Sequence, residues 1–311
     1  MSRNFDFKDD YCRISLPESE WTHIDRWFGT NVSLTSMVLT EWDKIKKTIE
    51  KGPRKIIWLG IPSIDVMING ISPGETLYIG HADEKSNMVF SLNLVSKFGI
   101  EAKKKILVFN SGRGEYAYAR GLISLQAGID EFKLRVGEQL LEEEIESIEK
   151  AVDDIRLSDI SFVNTPSVYV ETICDEVYQL KPEDKPELIF IDNLRFLTTY
   201  KKCKNKSKEY RFVSKKLWEL AKDTKIPIVV TGPLSKNRRT MKDYWPTASD
   251  MPAENMLDNF DKILMIHPST DKKDLNVFNI TTVKNPDGCY GYRKIRYIPE
   301  FNKLEEILRQ G

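Results

Sequence analysis

Residues 80–88 read Gly-His-Ala-Asp-Glu-Lys-Ser-Asn-Met and lie between a β-type run, Thr76-Leu-Tyr-Ile79, and a helical run over 89–98. Strand, loop, helix is the order in which proteins wrap phosphate. Backbone N–H groups of a glycine-rich loop turn inward, a lysine reaches the outer phosphates, and the next Ser or Thr hydroxyl meets magnesium. Gly80 is present here, but the second glycine position holds Ser86, the lysine position holds Asn87 and the hydroxyl position holds Met88. Asp83 and Glu84 also put two negative charges where a triphosphate would bring several more, so electrostatics oppose an anion at this loop. Lys85 is the nearby cation, and it would have to fold inward from the wrong register. As chemistry the loop is a degenerate phosphate site; as structure it is a plain connection from strand to helix.

Asp192 closes the apolar run LIFID (188–192), where an aspartate serves as a helix cap or turn residue at least as readily as a catalytic group. Two loops are strongly basic. The first carries Lys201, Lys202, Lys204, Lys206, Lys208 and Arg211, with Tyr200 and Tyr210 at its edges; the second carries Lys236, Arg238, Arg239 and Lys242, followed by Tyr244 and Trp245. In a chain with 47 basic and 47 acidic side chains, and so a formal net charge of zero, such clusters matter by position and not by sum. Backbone phosphates of nucleic acid are their natural partner, and solvated loops are the alternative. His23, His81 and His267 share no ligand spacing, and Cys12, Cys174, Cys203 and Cys289 form no CxxC pair, so neither a metal site nor a disulfide framework is expected.

The elements that must hold these residues alternate. Strands are expected at 105–110, 160–164, 188–192, 227–231 and 262–266, and helices at about 115–127, 141–155, 169–180 and 207–224. That alternation predicts an α/β fold with a mainly parallel sheet covered by helices on both faces. Two last strands, 277–283 and 293–297, joined by Asn285-Pro-Asp-Gly288, form a C-terminal β-hairpin. Residues 1–32 read as an irregular N-terminal arm. Over 33–52, Val38, Trp42, Ile45 and Ile49 recur every three or four residues, giving an amphipathic helix that Gly52-Pro53 stops. Residues 53–311 form the main domain. No apolar run is long enough for a membrane span and no targeting segment is visible, so a cytoplasmic location is expected.

Several ordered segments over about 34–304 resemble the C-terminal motor domain of DnaB-type hexameric replicative helicases. They are GIPSIDVMINGISPGETLYIG (60–80), VFSLNLVSKFG (89–99), ELIFIDNLRFL (187–197), VSKKLWELAKDTKIPIVVTGPLSK (213–236), SDMPAENMLDNFDKILMIHP (249–268) and VKNPDGCYGYRKIRYIPEFNKLEE (283–306). The resemblance implies a RecA-like P-loop NTPase fold and places Asp192 at the magnesium-associated aspartate. It makes the helix at 33–52 a linker helix that packs on an adjacent subunit. The two basic loops then match the loops that face DNA in the ring's channel.

The departures from the family are chemical. Arg113 stands where its catalytic glutamate belongs, with Glu115 as a displaced substitute. Pro233 replaces the glutamine that ends the fourth strand. Lys284 matches the lysine that reaches into the neighbouring site, while Pro286 replaces the arginine beside it. Phosphoryl transfer depends on positioning and charge stabilisation, and a trans arginine alone contributes roughly 10³ to 10⁵ in rate. The expectation is therefore a catalytically silent helicase-like protein of DNA replication or recombination, partnered by single-stranded DNA, by copies of itself or by a helicase ring. No cofactor is expected, and ATP with Mg²⁺ enters only if the atypical site works. The alternatives are an ATP-dependent helicase using displaced residues, and an assembly subunit that binds no nucleic acid.

Overall fold

Thr76, Leu77, Tyr78 and Ile79 are fully buried, and they alternate between two apolar layers: Leu77 and Ile79 face one, Tyr78 the other. The same division holds in the strand at 188–192, two places along the sheet, where Leu188 and Phe190 face one layer and Ile189 and Ile191 the other. A strand buried on both faces needs no polar alternation, which is why these segments read as continuous apolar runs.

The computed structural model describes residues 34–51, 55–110, 114–137, 140–164, 168–235, 245–269, 274, 276–286 and 288–307. Expectations for the arm at 1–32, the Gly52-Pro53 stop, Arg113 and the loop bearing Lys236, Arg238, Arg239 and Lys242 lie outside the described residues. The chain divides into two units, Met1–Arg54 and Lys55–Gly311. In the first, α1 (Leu34–Lys51) carries the expected apolar stripe, with Val38, Trp42, Ile45 and Ile49 exposed.

The second unit runs α2 (Pro62–Ile68), β1 (Thr76–His81), α3 (Glu84–Leu94), a π-helical turn (Val95–Glu101), β2 (Ile106–Asn110), α4 (Glu115–Ala127), α5 (Glu131–Val136), α6 (Glu142–Arg156) and β3 (Ile160–Asn164). It continues through β4 (Val168–Tyr169), α7 (Val170–Gln179), β5 (Leu188–Asp192), β6 (Leu197–Thr198), α8 (Lys206–Thr224), β7 (Ile228–Pro233), β8 (Lys262–Pro268), β9 (Val277–Lys284), β10 (Tyr292–Ile298) and β11 (Lys303–Glu306). Nine of these strands form one sheet in the order β11-β10-β9-β8-β1-β7-β5-β2-β3. From β8 to β3 every pairing is parallel, and from β8 to β11 every pairing is antiparallel. Residues of α3 and α4 join one apolar layer and residues of α7 and α8 the other, so both sheet faces are covered. This is the expected α/β architecture, with one strand, β11, added beyond the hairpin.

The connection after β1 differs from expectation. The loop expected over 80–88 is only Ala82 and Asp83, because β1 extends to His81 and α3 begins at Glu84. Asp83, in extended conformation, caps the helix, its carboxylate accepting the Ser86 N–H at 2.7 Å. A residue that can satisfy a free helix N–H starts a helix wherever the chain allows, and here it starts one turn before Met88.

Candidate functional site

The C-terminal ends of β1, β5 and β7 lie side by side and border a cavity of about 470 Å³. In parallel α/β sheets this edge is where ligands bind. His81 and Asp83 come from the end of β1, Glu84 and Asn87 from the first turn of α3, Asn193 and Arg195 from the turn after β5, and Gly232 to Ser235 from the end of β7. Gly232 is required by space, since a Cβ there would sit 2.7 Å from the Tyr78 hydroxyl.

Behind the cavity, buried Asn87 donates from Nδ2 to Asp192 Oδ1 at 2.9 Å. Thr231 Oγ1 lies 3.4 Å from the same carboxylate oxygen and accepts the Asn193 N–H at 3.1 Å. Asn193 holds φ +86, outside the comfortable range of an L residue, and such geometry persists only where surroundings enforce it. Three contacts do so: the bond to Thr231, acceptance of the Arg195 N–H by Asn193 Oδ1 at 3.1 Å, and donation from Nδ2 to Glu84 at 3.3 Å. The Arg195 guanidinium meets Glu84 at 3.2 Å on the rim. Burial pushes the Tyr210 phenol of the lining above its ordinary range, against the pull of Arg195.

The other loop residues turn elsewhere. Ser86 Oγ donates to the Asp83 carbonyl at 2.9 Å, and Met88 packs into the apolar layer. Lys85 places its ammonium 4.7 Å over the ring of Tyr297 on β10, away from the cavity lining. Positions 86–88 are thus engaged internally: the Ser86 amide by a carboxylate, the Asn87 side chain by Asp192, the Met88 side chain by the core. Glu115 is exposed at the start of α4 and does not line the cavity. Lys284 is turned into its own domain, donating to the carbonyls of Leu257 at 2.9 Å and Phe260 at 2.7 Å. Among the described residues no cluster of three or more His, Cys, Asp or Glu has the arrangement of a metal site.

A second depression, of about 550 Å³, lies between the basic loop and the outer face of α8. Lys201, Lys202, Lys204, Lys208 and Arg211 line it together, as the sequence clusters them. Lys206 stands apart, held by Glu209 at 3.1 Å and by the Leu197 carbonyl at 3.3 Å. Lys215, Lys216 and Phe212 also line the depression, and Lys201 lies 4.9 Å over the Phe212 ring. Sequence reading missed these two lysines, although 208, 211, 212, 215 and 216 share one helical face, which the three-to-four-residue spacing makes visible.

The sequence profile described as the DnaB-like helicase C terminal domain matches residues 57–306. The chain belongs to the DnaB-like helicase C-terminal domain family. It is 21% identical over 314 residues to the replicative DNA helicase DnaC of Bacillus subtilis, covering 97% of this chain and 69% of that relative. It is 21% identical over 257 residues to the replicative DNA helicase DnaB of Geobacillus stearothermophilus, covering 81% of this chain and 56% of that relative. A probable plasmid replicative DNA helicase of Chlamydia muridarum is 28% identical over 187 residues, covering 60% of this chain and 40% of its own length. The chain therefore spans between two fifths and about two thirds of these relatives. Among solved structures, one described as a DnaB-like replicative helicase and its interactions with primase superposes with TM-score 0.79 at 17% identity, over 93% of this chain and 71% of that one. A second solved structure, described as an ATPase domain, superposes with TM-score 0.76 at 17% identity, over 90% of this chain and all of that domain. The nine-stranded sheet described above is accordingly the RecA-like fold of DnaB-type domains.

Proposed function

We propose that this DnaB-like domain does not hydrolyse nucleotide and acts in DNA replication or recombination by holding single-stranded DNA. The observation that carries the first half is the Asp83 carboxylate on the Ser86 N–H. Free N–H groups at a helix N-terminus favour an anion, and here the attached Asp83 carboxylate already takes one of them while Glu84 lines the cavity beside it, so an incoming triphosphate meets two negative charges. The buried Asn87 to Asp192 bond adds to this, because a neutral amide sits on the acid that magnesium would need. The second half is supported by the cations that line one depression close in sequence to the exposed Tyr200. Titration with a labelled, non-hydrolysable ATP analogue plus Mg²⁺ should show no saturable binding, while oligothymidine should bind with strong salt dependence. Saturable Mg²⁺-dependent uptake of the analogue would favour the atypical-helicase reading, in which ATP and Mg²⁺ are used; absence of oligothymidine binding would favour the assembly-subunit reading.

The same reading assigns α1 to association, with copies of this chain or with a helicase ring. Its exposed Val38, Trp42, Ile45 and Ile49 supply the apolar face such docking needs. Light scattering of wild type against Trp42→Asp tests this: a smaller assembly in the variant is expected, and an unchanged mass speaks against it. No helix among the described residues is long and apolar enough to cross a membrane.

A further inference from the structure

Tyr200 ends the segment after β6 and is 67% exposed, immediately before Lys201 and Lys202. Single exposed aromatics are ordinary on protein surfaces. This one is not single: its ring stacks on Tyr169 with centroids 4.1 Å apart and planes 15° from parallel. It is also pinned. The Tyr200 and Thr172 hydroxyls lie 3.1 Å apart, the Tyr200 N–H donates to Glu171 Oε2 at 3.3 Å, and the Thr199 hydroxyl bonds the other oxygen of the same carboxylate. Glu171 and Thr172 stand in the first turn of α7, so a rigid element fixes the direction in which the exposed ring looks.

We propose that Tyr200, backed by Tyr169, is a stacking platform for an unpaired nucleobase whose flanking phosphates lie in the neighbouring lysine-lined depression. This rests on the nucleic-acid reading above and adds to it a base-dependent component that charge alone cannot supply. A ring stacked on one face offers its other face. Every base has a π-face to lay on it, so the contact is tolerant of sequence, and a duplex, whose bases are stacked internally, offers nothing equivalent. Because the ring is already held, little side-chain freedom is lost on binding. Lys201, directed over Phe212, and Lys202 connect the platform in sequence to Lys204, Lys208 and Lys215 in the depression.

The test uses the whole chain with two end-labelled probes of equal length, an oligothymidine and its abasic sugar-phosphate counterpart. Wild type should prefer oligothymidine by roughly fivefold to a hundredfold, the range that base–aromatic stacking spans. Tyr200→Leu should lower oligothymidine affinity to the abasic level while leaving the abasic affinity within about twofold, and Tyr200→Phe should keep the preference. Equal wild-type affinity for both probes overturns the platform and leaves the nucleic-acid reading standing. A parallel loss on both probes in Tyr200→Leu also overturns it, since the ring would then only brace the basic loop against α7. Binding of neither probe overturns the nucleic-acid reading, and the platform falls with it.

Discussion

Asn87 and Asp192, 105 residues apart in sequence, are joined by a buried hydrogen bond of 2.9 Å. The bond spans from the first turn of α3 to the end of β5 and ties the two elements together as a structural strut. Removing the Asp192 carboxylate takes the acceptor from the buried Asn87 amide, which costs about 1–3 kcal/mol.

Restoring side chains at this strut should not restore chemistry. In Asn87→Lys with Met88→Thr, the new ammonium enters a site lined by the carboxylates of Asp83 and Glu84 and backed by Asp192, and the Ser86 amide keeps its Asp83 partner. Phosphate release in the presence of oligothymidine should match a no-protein control. Turnover that disappears on further changing Glu115→Gln would show that the exposed Glu115 is a usable base and that the silent reading is wrong.

Asp83 offers a separable test. Removing an N-cap side chain costs about 0.5–2 kcal/mol, so Asp83→Ala should lower the denaturant midpoint and Asp83→Ser should recover most of the loss. If the carboxylate stands in for a bound anion, inorganic phosphate or pyrophosphate should stabilise Asp83→Ala more than wild type. Equal stabilisation of the two proteins by these anions would show that the Ser86 amide is not what the carboxylate withholds.

This helix start explains where the sequence was legible and where it was not. Strands β2, β3, β5 and β8 and helices α4, α6, α7 and α8 fall within two residues of their expected bounds, because apolar runs buried on both sheet faces and amphipathic helices leave period signals. The shortness of the loop does not show, because one side chain's choice of hydrogen-bond partner, Asp83 for Ser86 N–H, fixes it. Tyr169 and Tyr200, or Asn87 and Asp192, meet only through the crossovers that bring their elements together. Lys215 and Lys216 are legible in the helical spacing, but a reading that treats the basic cluster as a loop stops short of the face of α8 that carries them.

The basic depression predicts a salt slope. Each phosphate contact on single-stranded nucleic acid contributes about 0.7 to the slope of log affinity against log salt. Lys208→Ala with Lys215→Ala should therefore flatten the slope by about 1.4 if each lysine meets one phosphate. Lys215 can do so, because its nearest carboxylate, on Glu219, is 3.8 Å away at an exposed site where ion pairs are weak. As a control, Lys206→Ala should change the slope less, since Lys206 is held outside the depression. Equal slopes in wild type and the double variant would remove this surface from the interface.

His267 predicts a pH response of stability. It is buried on β8, its ring edge-on to Trp245 at 5.2 Å, and burial holds its pKa below the ordinary 6.5, opposed by the carbonyl of Pro268. With the folded value depressed, the unfolded chain binds the proton first as pH falls, so stability is lost on acidification below about pH 7 and is level above it. Other groups titrate over the same interval, so the informative quantity is the difference between wild type and His267→Phe, which keeps an aromatic ring and cannot be protonated. The unfolding free energy of the variant, measured by denaturant from about pH 7.5 to about pH 5, should decline less than that of wild type. A difference between the two proteins that stays constant across that interval would show that the imidazole is protonated as readily in the folded chain as in the unfolded one.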